Sequence, residues 1–179
     1  MTEATGSSKS SSRMVTGLFK DRESAERAYG SLNSRGYSND DFNMVMTDET
    51  RKKHFSDDND TELDTKAWEG AGKGAAIGGT VGGTLAALAA IGTTVALPGL
   101  GLLVAGPIAA ALVGAGTGGT IGGLIGGLVG SGIPEDRAKE YESGVREGGI
   151  LMGVNARSDE DAEFFETEFR NSRGEKVYR

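Results

Sequence analysis

The sequence predicts an α+β fold, a ferredoxin-like split βαβ sandwich interrupted by a long apolar glycine-zipper helical hairpin. Three observations lead there. Short apolar runs rich in strand formers alternate with amphipathic helical stripes on both sides of a central segment. Residues 74–134 carry no charged side chain. The window 70–133 holds 21 of the 30 glycines and a single charge, Lys73, while all 11 aromatic residues lie outside it. The chain thus divides into a polar tail expected to be disordered (1–12), a first βαβ half with an acidic loop (13–69), the glycine-zipper hairpin (70–133), and a helix followed by a second βαβ half (134–179).

The first strand is expected at MVTGLF, residues 14–19. Asp21 then offers an N-cap, and Ala25, Ala28, Tyr29 and Leu32 form one apolar helical stripe that Gly36 can close. Phe42, Met44 and Met46 alternate with Asn43, Val45 and Thr47 in a second strand. After the insert, Pro134 suits a first helical turn, Glu135 and Asp136 favour its positive end, and Gly148 and Gly149 end it. ILMGV (150–154) reads as a third strand. Ser158 caps a last helix with Ala162, Phe165 and Phe169 inward, and residues 176–178 add a short strand. Right-handed crossovers leave few other arrangements of these elements. Leu18, Val45 and Leu151 make the sheet's second face apolar, to be covered by the helix at 134–147 or by a partner.

In the insert, helices are expected over 74–97 and 107–130, broken by Pro98, Gly99 and Gly101. At ~1.5 Å per residue each is long enough for a ~30 Å hydrocarbon core. Small residues recur every fourth position. Gly74, Gly78 and Gly82 form one row with Gly79 and Gly83 beside it; Gly114, Gly118, Gly122, Gly126 and Gly130 form another beside Gly119, Gly123 and Gly127. Such rows let helix backbones approach closely, and these glycines are the expected helix-packing interface. The segment has three possible destinations: a bilayer, the core of a soluble self-assembling shell or filament, or packing within its own chain. The valine, leucine and isoleucine content of 74–97 favours insertion by only roughly −2 to −4 kcal/mol before any cost for glycine.

The absence of cysteine excludes disulfides and thiolate metal sites, and a single histidine, His54, excludes a multi-histidine site. A net charge of −7 argues against nucleic acid as a partner. Residues 1–12 lack a signal-peptide apolar core, so the chain is expected to start in the cytoplasm. Gly114, Gly116 and Gly119 match a dinucleotide fingerprint without the preceding strand or following acid. Lys73 ends a glycine-rich loop that lacks the Ser or Thr of a phosphate loop. His54 reads as a solvated histidine, and the acidic residues at 57–60 lack the glycine and glutamate of a calcium loop. No catalytic residue, cofactor, metal or small-molecule substrate is expected.

Several words of the sequence resemble the bacterial general stress protein 17M-like domain and the low-temperature-induced proteins: VTGLF (15–19), DRESAERAY (21–29), RGY (35–37), VMTDETR (45–51), IPEDRAKEYE (133–142) and GGIL (148–151). The resemblance implies a bacterial stress-associated protein without established catalytic residues. Together these readings predict a non-enzymatic protein that oligomerises through glycine-zipper helices. Its partners would be itself and a lipid bilayer, at the bacterial inner membrane, with both flanks cytoplasmic because Lys66, Lys73, Arg137 and Lys139 border the hairpin. The alternatives are a cytoplasmic soluble assembly and a ligand-sensing domain coupled to the hairpin.

Overall fold

The computed structural model describes residues 13–55, 95–97, 101–115 and 123–179. The first half comprises β1 (Met14–Phe19), α1 (Arg22–Ser34), β2 (Phe42–Thr47) and α2 (Asp48–Phe55). The central segment supplies β3 (Val95–Leu97), β4 (Leu102–Ala105), α3 (Ile108–Ala115) and α4 (Gly123–Gly130). The last part is α5 (Glu135–Arg146), β5 (Ile150–Asn155), α6 (Asp159–Asn171) and β6 (Glu175–Tyr178). The strands form one antiparallel sheet in the order β3-β4-β2-β5-β1-β6. β5 lies between β1 and β2, and β1 between β5 and β6, so two β-α-β units interleave.

Local chemistry sets the helix starts. The Asp21 carboxylate accepts from the Ser24 backbone N–H at 2.8 Å and opens α1; the Ser158 hydroxyl accepts from Asp161 N–H at 3.0 Å and opens α6. Both helices then bury the stripes their spacing dictates against Val15, Phe19, Phe42, Met44, Met46, Ile150, Met152 and Val154 of the sheet. Edge-to-face aromatic pairs knit this face: Phe19 on Phe169 at 5.4 Å and Tyr37 on Phe165 at 4.7 Å.

The alternate strand residues, Leu18, Val45 and Leu151, face a second apolar layer. α5 covers them with Ala138, Tyr141 and Val145; α3 and α4 add Ile108, Leu112, Leu124 and Leu128. The sheet is therefore buried on both faces, and every residue of β2 is buried, Asn43 and Thr47 included. Asn43 anchors α3 to the sheet, its Oδ1 accepting the Ile108 N–H at 2.8 Å. The Tyr141 hydroxyl donates to the Lys176 carbonyl at 2.8 Å and lies 2.7 Å from Thr16 Oγ1.

This corrects the expected architecture and its membrane placement. Among the described residues no helix is long and apolar enough to cross a membrane, and no glycine-zipper helical hairpin is present. Residues 95–97, expected as the end of a helix, are a strand, and 102–105 pair with β2. Within the helix expected over 107–130, the described residues form helices at Ile108–Ala115 and Gly123–Gly130, and 116–122 lie outside the described residues. The physical reason lies in glycine and proline. Pro98, Gly99, Gly101 and Gly106 flank two short apolar runs, the punctuation of a β-hairpin, and Gly101 and Gly106 adopt left-handed φ of 61° and 89°. A backbone so rich in glycine also gains little from helix propagation. The remainder of the expected first helix, and the tail 1–12, lie outside the described residues.

An ion-pair and hydroxyl network locks the two outer helices together. Asp161 accepts from the Tyr37 hydroxyl and from Arg35, each at 2.6 Å, and Arg157 bonds Asp41 at 2.6 Å. The Tyr37 hydroxyl, Arg35 and Ser158 hold the Asp161 carboxyl below its usual range. Burial opposes the shift at Asp41, but Arg157 and Ser38 outweigh it. A carboxylate with a lowered folded-state pKa contributes stability above its unfolded value and loses it as pH falls through the folded one. Stability against urea is thus expected to hold down to about pH 4 and to decline below it. An Asp161→Asn variant should be less stable than the parent near neutrality and show a shallower decline in acid; parallel declines would remove Asp161 from the explanation.

Candidate functional site

The predicted packing glycines do not share one face. Gly74, Gly78, Gly79, Gly82, Gly83, Gly118, Gly119 and Gly122 lie outside the described residues, and Gly114 lies in α3. Of the rest, all in α4, Gly123 and Gly127 are buried while Gly126 and Gly130 are exposed. Gly127 sits directly against Leu112 of α3, where any Cβ would overlap that side chain and come 2.9 Å from the Leu112 Cα. The Gly123–Gly127 row thus serves close packing within the chain, and the Gly126–Gly130 row faces outward beside Val129, which is 42% exposed.

The sheet edges differ in character. β6 carries Glu175 and Lys176; its pairing with β1 slips in register between Thr16 and Leu18, and Lys176 sits at a left-handed φ of 49°. Charge and a bulge of this kind discourage further strand pairing. At the opposite edge β3 is Val95-Ala96-Leu97, bonded to β4 alone among the described strands and without charge or bulge. Sequence reasoning missed this strand. Its signal was three β-forming apolar residues followed by Pro98-Gly99, overshadowed by the length of the uncharged run.

A cavity of about 470 Å³ opens between α2, the C-terminal end of α5 and the ends of β1 and β6. Its charges are of both signs, Lys20, Lys53, Arg146 and Lys176 against Glu49, Glu147 and Glu175. Lys20 pairs with Glu175 at 2.7 Å, which raises the lysine pKa. His54, expected as a loop residue, closes the last turn of α2; partial burial and then Lys53 lower its pKa, so the ring is neutral near pH 7. The hydroxyls are engaged: Thr47 with Thr50 at 2.9 Å, and Ser143 donating to Glu147 at 3.0 Å. This cleft suits a polar molecule bearing both charges. No group of three or more His, Asp and Glu residues that could hold a metal occurs among the described residues.

Comparison with protein-family models, with curated proteins and with solved structures returned no match. The likeness to general stress proteins therefore rests on the sequence words quoted above.

Proposed function

We propose that this chain is a non-enzymatic self-assembling protein, its copies joined through the uncharged segment by the outer edge of β3. The observation that carries the reading is the contrast between edges. One edge of the sheet is charged and bulged; at the other, the outermost described strand is the uncharged Val95–Leu97, within a 61-residue run without a charge. An open strand edge pairs with another strand because its N–H and C=O groups seek partners. Two copies meeting at β3 around a two-fold axis form a closed pair. A shell or filament needs a second contact, and the outward strip of α4 around Val129 supplies an apolar candidate. The resemblance to general stress proteins supports a stress-linked role for such an assembly.

The test is sedimentation velocity in detergent-free buffer. The parent protein is expected to sediment well above its 18.5 kDa chain mass. Ala96→Lys, a charge placed on the edge, is expected to shift it toward the single-chain mass while leaving the circular dichroism spectrum unchanged. A parent that sediments at 18.5 kDa overturns the reading.

A further inference from the structure

On the second face of the sheet, a cleft of about 240 Å³ is lined by Met14, Thr16, Ile133, Arg137 and Arg179. No acidic side chain lines it, in a chain whose net charge is −7. The Arg137 guanidinium carbon lies over the Tyr178 ring, 4.0 Å from its centroid, and Arg137 makes no ion pair among the described residues. Stacking of this kind fixes the guanidinium plane and leaves its N–H edges available for a planar, bidentate acceptor. Arg179 is exposed and only 3.8 Å from Glu166, a loose pair.

Behind this cleft lies a second cavity of about 10 Å³, which shares Met14, Thr16 and Ile133 with it and reaches Asn43. Asn43 is 3% exposed, and its Nδ2 is a buried donor without a partner. Its orientation is fixed, because Oδ1 accepts from Ile108 N–H. Tyr141 gives its hydroxyl proton to the Lys176 carbonyl, so Thr16 must donate to Tyr141, which leaves the Thr16 oxygen with an open lone pair. The ionisable side chains lining the outer cleft are two arginines, donors only, with no acidic side chain beside them in the lining. Such a pair favours an acceptor with negative charge.

We propose that this cleft binds a small organic carboxylate, held by Arg137 and Arg179. A planar carboxylate matches the fixed guanidinium fork better than a tetrahedral oxyanion. The site is separate from the β3 edge, so it stands or falls independently of self-assembly.

The experiment titrates the full chain with sodium acetate and sodium propionate by calorimetry. Sodium chloride and inorganic phosphate at equal ionic strength serve as comparators. The expected result is saturable one-to-one binding of the carboxylates, weakened by about tenfold or more in Arg137→Gln, which loses the charge-assisted bidentate contact. Arg137 reaches the ring of Tyr178 at the surface of α5, so the variant is expected to fold, and an unchanged circular dichroism spectrum verifies this. Carboxylate heats no greater than those of chloride, equal affinity in Arg137→Gln, or tighter binding of phosphate than of either carboxylate would each overturn the assignment.

Discussion

Replacing Gly106 by alanine is expected to lower the stability of this protein by about 3 kcal/mol or more, combining a strained backbone with a buried collision. Gly106 joins β4 to α3 with φ at 89°, a conformation that L side chains rarely adopt. A Cβ there would overlap the Phe42 carbonyl oxygen and come 3.1 Å from the Asn43 Cα, so the obstacle is the backbone of β2 and not a movable side chain. The turn cannot simply shift. The Gly106 carbonyl accepts from Ala109 N–H at 3.0 Å, and Asn43 holds Ile108 two residues on. Displacing it would detach α3 from the sheet and uncover Val104, Ile108 and Leu112. In a thermal melt followed by circular dichroism, a loss of this size should lower Tm by roughly 6–12 °C for a domain of this size. Gly101→Ala is the control. Its φ is also left-handed, at 61°, but no atom of the described residues lies within 4 Å of a Cβ placed there. It should cost only the backbone term, about 1–2 kcal/mol. Equal losses at the two positions would show that backbone conformation alone matters and that the approach to Phe42 does not.

The outer layer of this fold was legible in the sequence because each signal there is local. Asp21 and Ser158 mark helix starts by a hydrogen bond to a residue three positions on, and the stripes from Ala25 to Leu32 and from Ala162 to Phe169 fall on a 3.6-residue period. Strand alternation placed Leu18, Val45 and Leu151 on a second apolar face, and α5 does cover it. The central segment was misread because its signal is ambiguous. A run with no charge meets the length criterion for a membrane helix whether or not it is one continuous helix. What separates the cases is glycine-dependent geometry: left-handed turns at Gly101 and Gly106, and close contact at Gly127. None of these is a matter of hydrophobicity. The carboxylate cleft was illegible for a different reason. Thr16, Arg137 and Arg179, which line it, come from three separated stretches of the chain.

Gly127→Leu and Gly130→Ala are expected to have opposite effects, although both glycines belong to the four-residue rows of the uncharged segment. At Gly127 a new side chain would enter the space of Leu112, with the Leu112 Cα itself 2.9 Å from the Cβ, so α3 and α4 must separate. Overpacking of this kind costs about 1–3 kcal/mol, and more where backbone must move. Leu112 and Leu128 are both fully buried, and parting the helices opens that layer to water. At Gly130 nothing lies within 4 Å of a Cβ, and the residue ends α4 in a helical conformation. Alanine there removes unfolded-chain freedom at no steric expense, and the variant should be unchanged or stabilised by up to ~1 kcal/mol. Measuring Tm and sedimenting mass on the same samples separates packing within a chain from packing between chains. If the buried row serves only the fold, Gly127→Leu lowers Tm with no specific effect on assembly among molecules that remain folded. If the exposed row seats a neighbouring copy, Gly130→Ala lowers the assembled mass while Tm at high dilution stays constant. A Gly127→Leu variant with the parent's Tm would mean that α3 and α4 do not pack as closely as their glycines allow.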